Sequence, residues 1–142
     1  MNLILENDLA KFPADTYLMT HTTNPLVSGG TIKQAITAFR KQSGEGLCDS
    51  MFSVTRHQTR FYNAQLEPIN HDPDRLIPTQ DLDVWFEENS NFYLFTPESF
   101  ESTSARIGKK PSVFPVPAIE SIDIDTWDDW YLAAAIAKGA AS

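Results

Sequence analysis

The sequence predicts an α/β fold, and two observations predict it. Strand-like and helix-like stretches alternate along the chain, and strand, helix and strand follow one another within residues 15–55. That order reads as a βαβ unit, with a parallel, right-handed crossover. The chain has 142 residues, 42% of them hydrophobic and 11% aromatic, enough for one domain with a real core.

Residues 2–11 read as a short amphipathic helix stopped before Pro13. Asp15 to Met19 reads as a buried strand, because Thr16, Tyr17, Leu18 and Met19 favour sheet. It runs into the polar loop Thr20–Pro25, at the strand end where open α/β sheets place ligands. After the Ser28-Gly29-Gly30 break, Ile32, Ala35, Ile36 and Phe39 repeat at helical spacing. Gly44 and Gly46 close that helix, and Asp49 to Thr55 forms the second strand.

From Arg56 to Asp83 the pattern changes. Arg60 to Ala64 looks like a strand entering a turn, and Pro68, Pro73 and Pro78 then punctuate a polar stretch. This segment reads as an excursion long enough for an arm or a dimer contact. Asn91 to Phe95 returns to the sheet. Thr96 then caps a helix with Pro97 at its first position and Gly108 at its end. Ser112 to Val116 is a further short strand, and a last helix spans about Trp127 to Lys138.

Between these two lies the stretch Ser121-Ile122-Asp123-Ile124-Asp125-Thr126, which reads as a strand entering the last helix. Alternation would send Ile122 and Ile124 to one face and Asp123 and Asp125 to the other, with the carboxylates about 7 Å apart. Thr126 and Asp129 have the spacing of a capping box. Two readings of the acids stand. One is a Mg²⁺ seat for a nucleotide, since Mg²⁺ takes one or two carboxylates plus substrate phosphates. The other is a solvated acidic strand end with an ordinary cap.

The formal net charge of −8 argues against nucleic acid and anionic membranes as partners. The one cysteine, Cys48, precludes an internal disulfide, reads as structural, and fits a reducing, cytoplasmic setting. No apolar run is long enough for a membrane span, and the N-terminus lacks the marks of a signal peptide. His21, His57 and His71 match no zinc spacing. Of the three, His21 is the candidate for substrate contact, because it ends a strand in a polar loop. No nucleophile elbow, phosphate-binding glycine loop or Walker loop is present.

Four segments in order resemble the C-terminal portion of the acylneuraminate cytidylyltransferases, the CMP-sialic acid synthetases. They are Thr20-His21-Thr22-Thr23-Asn24-Pro25-Leu26; Asp49-Ser50-Met51-Phe52-Ser53-Val54; Thr79-Gln80-Asp81-Leu82 with Glu87 to Leu94; and Ser121 to Thr126. The resemblance implies a three-layer α/β sandwich with a mixed, mostly parallel sheet, like the nucleotide-diphospho-sugar transferases. It implies CMP transfer from CTP to a sialic (nonulosonic) acid with Mg²⁺ as cofactor. Asp123 and Asp125 would be the metal-binding, catalytic pair, and His21, Thr23, Gln80 and Asn89 would bind the sugar. Residues 56–83 would be the dimerisation arm of a homodimer.

The sequence also departs from that family. The glycine-rich CTP loop of its first half has no counterpart, and about 80–90 residues of the usual first half are absent, judged against the family pattern. Arginines expected near Gln80 and after Leu26 are replaced by Pro78-Thr79 and by Val27. Residues 1–142 therefore read as a single truncated cytidylyltransferase-like domain, either inactive alone or completed by an N-terminal partner chain. The alternative is a non-catalytic dimeric sugar-binding or interaction module built on the same fold.

Overall fold

A computed structural model describes residues 2–140. It is an α/β arrangement around a four-stranded mixed sheet. Helix α1 (Asn2–Lys11) precedes strand β1 (Tyr17–Thr20), then come α2 (Gly29–Gly44) and β2 (Ser50–His57). After a long excursion follow β3 (Trp85–Phe95), α3 (Pro97–Thr103), β4 (Pro111–Pro115) and α4 (Trp127–Ala140).

The strand order is β1-β3-β2-β4. β3 pairs antiparallel with both β1 and β2, and only β2–β4 is a parallel pair. The sheet is mixed, but the expected mostly parallel character gives way to one antiparallel strand at its centre. β1 and β2 do run parallel to each other across α2, as a βαβ unit demands. β3 has slipped between them, so the unit is split.

Each face of the sheet carries its own apolar cluster, because alternate residues of a strand point to opposite sides. Met51, Phe92 and Leu94 face α2, where they meet Ala35 and Phe39. Cys48 is buried in the same cluster. Tyr93 and Phe95 point the other way and pack with Phe100 of α3, Leu5 and Leu9 of α1, and Phe52.

The helix boundaries follow local chemistry. The Ser28 hydroxyl accepts from Thr31 N–H at the start of α2, 3.1 Å away. Thr96 does the same for Ser99 at the start of α3, where Pro97 sits at the first position. The predicted run of this helix to Gly108 is too long: Ser104 turns left-handed (φ 53°) and ends it.

Two further expectations are corrected. Arg60 to Ala64 is no strand; the segment carries a single isolated bridge, Tyr62 to Pro68. Ser121 to Asp125 is no strand either. Its link to the Thr20–Pro25 loop includes one backbone bond, Ile124 N–H to Thr23 C=O at 2.9 Å. A strand needs a ladder partner along its length, and this segment has none.

The Arg56–Asp83 excursion is a protrusion with a defined base. β2 and β3 extend past β4 as a two-stranded ribbon, Thr55–His57 against Trp85–Glu87. Gln58 then closes the neck, its amide donating to the carbonyls of Gln80 (2.7 Å) and Leu82 (2.9 Å).

An acidic cavity at the β3 bulge

The site is built on an irregularity in β3. Phe52 pairs with Tyr93, but Val54 pairs with Glu88, so a two-residue step on β2 faces a five-residue step on β3. The surplus residues loop out as a bulge around Ser90, which takes a left-handed φ of 58°. Such excursions re-aim side chains, and here they turn Asn89 and Asn91 into the interior.

The side-chain NH2 groups of the buried asparagines find partners and knit three distant segments together, while Asn24 Oδ1 and Asn91 Oδ1 accept no hydrogen bond. Asn89 donates to Thr55 Oγ1 (3.1 Å) and Ser121 Oγ (3.3 Å), and its carbonyl accepts from Asn24 Nδ2 (3.3 Å). Asn24 Nδ2 also lies 3.4 Å from the Ile122 carbonyl, and Asn91 donates to the Glu120 carbonyl at 2.7 Å. The bulge, the Thr20–Pro25 loop and the acidic segment are thereby held edge to edge.

Between the bulge and the acidic segment lies a cavity of about 390 Å³. Five carboxylates line it: Glu87, Glu88, Asp123, Asp125 and Asp129. Asn89, Ser90 and Ser121 add neutral polar groups, and no lysine or arginine is in the wall. Asp123 Oδ1 is enclosed and has no hydrogen-bond partner.

Several of the acids are held in place. Asp129 accepts from Thr126 Oγ1 (2.7 Å) and Thr126 N–H (2.8 Å), while Asp129 N–H donates back to Thr126 Oγ1 at 3.3 Å. This is the expected capping box of α4. The bonds from Thr126 hold the Asp129 carboxyl below its ordinary range. Glu87 pairs with His57 Nε2 at 2.7 Å. Glu88 takes a short hydrogen bond from the Tyr93 hydroxyl and lies 3.5 Å from Arg106, whose guanidinium stacks over the Tyr93 ring. Burial, and then the bond to Glu88, push the Tyr93 hydroxyl above its usual pKa.

The residues expected at a site divide into three groups. Asn89, Asp123 and Asp125 line the cavity together. Thr23 and His21 are not in its wall: the Thr23 carbonyl anchors Ile124, and the His21 ring lies 6.1 Å from the Tyr93 ring. His21 Nε2 is enclosed and without a partner. Gln80 stands apart in the neck of the protrusion, exposed, its carbonyl held by Gln58. Glu87, Glu88 and Asp129 are cavity residues that the sequence reading gave no part in a site; the Glu-Glu pair directly before Asn89 is the signal that could have found the first two.

Mg²⁺ can be tested against these groups. Among the described residues, no set of three or more His, Cys, Asp or Glu side chains is disposed to cage a metal ion. Mg²⁺ needs only one or two carboxylates when phosphates and water complete its shell. Asp123 and Asp125, with the unpartnered Oδ1 of Asp123, fit that lesser demand.

Comparison with models of known protein families gives no match, and comparison with curated proteins gives none either. Among the described residues no helix is long and apolar enough to cross a membrane.

Proposed function

We propose that this chain is a cytidylyltransferase-like protein, carrying the sugar- and metal-binding portion of a fold that transfers CMP from CTP to a sialic (nonulosonic) acid. One observation carries the reading. Asn89, Asp123 and Asp125, singled out by the resemblance, line one cavity, and the Thr23 carbonyl holds the backbone of Ile124 between the two aspartates. The fuller reading is a three-layer cytoplasmic protein, dimeric through residues 56–83, that works in partial form with an N-terminal partner chain.

In the proposed reaction the sugar's anomeric hydroxyl gives its proton to solvent as its oxygen bonds the α-phosphorus, the bond from that phosphorus to the α,β-bridging oxygen breaks, and pyrophosphate leaves with that electron pair. Mg²⁺, when bound, would offset triphosphate charge. Asp123 and Asp125 would hold it, while Asn89 would donate to the sugar if it exchanged its bond to Ser121. The cavity wall offers no cation of its own, so a triphosphate is repelled unless a metal or a partner's basic groups accompany it.

That same lack of cations favours a second reading, a non-catalytic dimeric module that binds a sugar or a partner. Pyrophosphate release from CTP, with Mg²⁺ and N-acetylneuraminic acid, separates the two. Release that disappears in Asp125→Asn supports the enzyme. No release, even with the N-terminal half of a relative supplied, leaves the module.

A further inference from the structure

We propose that the side of α4 bordering Ile124 and the Pro25–Leu26 loop is a docking surface for a basic, amphipathic segment of a partner protein. Three cavities adjoin along this face. Asp125 lines both the acidic cavity and a second one of about 300 Å³, walled by Trp127 and Trp130. Ile124 and Trp130 in turn line both the second cavity and a third, also about 300 Å³, where Ala133, Ala134 and Ala137 face Pro25 and Leu26. Shared walls therefore set carboxylates, two indoles and an apolar trough side by side along the helix.

The helix is apolar on more sides than its own fold covers. Trp127 is 75% exposed, Trp130 53% and Tyr131 67%, and Ala133 is the α4 residue that enters the core. Exposed aromatic area of this kind, rimmed by polar groups, marks an interaction site. Tryptophan and tyrosine are also the residues that anchor interfaces.

Charge selects the occupant. No lysine or arginine lines any of the three cavities, and one end of the row is carboxylate-rich. A second copy of a chain with net charge −8 would bring like charge to like. A segment with lysine or arginine at one end and aliphatic residues beyond it satisfies both ends of the row. Its ammonium or guanidinium groups would meet Asp125 and the indole faces, where cation–π attraction adds to the charge pairing. Its apolar side chains would fill the alanine-lined trough.

The surface does not depend on cytidylyltransferase chemistry, and its test uses neither nucleotide nor Mg²⁺. The probe is a fluorescein-labelled, helix-forming peptide of lysine and leucine, about 14 residues long to match α4. Fluorescence anisotropy should show binding to the full chain that weakens with added salt. Replacing the peptide's lysines by glutamates should weaken it at least about tenfold, as should Trp130→Ala. Ala137→Glu, at an exposed position of the trough, should do the same with an unchanged circular dichroism spectrum. Equal binding by the wild type and both variants would overturn the proposal. So would association of the chain with itself or with lipid vesicles that is lost in Trp130→Ala while the peptide fails to bind, because the face would then belong to a second copy or a membrane.

Discussion

Asp49 shows how much one side chain can decide. Its carboxylate accepts from the backbone N–H groups of Lys109 (2.8 Å) and Lys110 (3.0 Å), while its own N–H donates to the Lys110 carbonyl. These bonds start the parallel β2–β4 ladder at Ser50 and Pro111. Gly108 is needed there because a Cβ would collide with Ser99 Oγ and the Asp49 carboxylate. Asp49→Ala should therefore cost about 2 kcal/mol in urea denaturation, since two amides would lose a charged acceptor. Asp129 acts at the same scale. Its carboxyl is held below the ordinary range, so its contribution is present above the unfolded pKa and fades as pH falls through the folded one. Helical circular dichroism from α4 should fall over that acidic window, and Asp129→Ala should show the same loss at neutral pH without further change on acidification.

Among the elements, the β3 bulge does most to make the site. A regular β3 would keep Asn89 in the ladder and leave the acidic segment without its anchors. Asn89→Ala removes a buried side chain that donates to Thr55 and Ser121, with a predicted cost of about 1–3 kcal/mol. It should also release residues 120–125 from the bulge, seen as faster amide hydrogen exchange of Ile124. Equal exchange in both proteins would mean that the Ile124–Thr23 bond holds the segment unaided. Tyr93 lies at the same bulge with its hydroxyl pKa raised. Its contribution to native stability is thus fully present below the unfolded tyrosine pKa of about 10 and is lost as pH rises through the folded value. A tyrosinate absorbance titration should show one late-ionising group that disappears in Tyr93→Phe.

Among the exposed apolar patches of the whole molecule, which include Leu3, Ile4 and Phe12 in and just after α1, two bear on its interactions. One is the α4 face. The other is the protrusion between β2 and β3, where Leu66 is 80% and Leu76 73% exposed, with Trp85 and Phe86 also open. The proposed dimer would use the second. Sedimentation should then find a dimer that Leu76→Asp converts to a monomer, and a monomeric wild type would remove the arm from the reading. Because the two patches lie on different elements, Leu76→Asp should leave binding of the lysine–leucine peptide unchanged.

The sequence by itself determined the local units. Helix starts at Thr96 and Thr126 were legible because a cap joins residues two or three apart, and Phe39 and Ala35 were legible as core because helical spacing is a property of contiguous residues. The start of α2 was not: Ser28-Gly29-Gly30 reads as a break with the helix from about Thr31, whereas Ser28 caps a helix that already includes both glycines. Asp123 and Asp125 were legible as a pair, and they do line one cavity. Tertiary structure alone decided the rest. It placed β3 between β1 and β2, because the length of the excursion does not specify which edge the returning strand joins. It left Ser121 to Asp125 without a ladder despite an alternating pattern, because a strand exists only where another offers its N–H and C=O groups. And it brought Glu87 and Glu88 to the aspartates, through a bulge whose buried asparagines find their partners some thirty and more residues away.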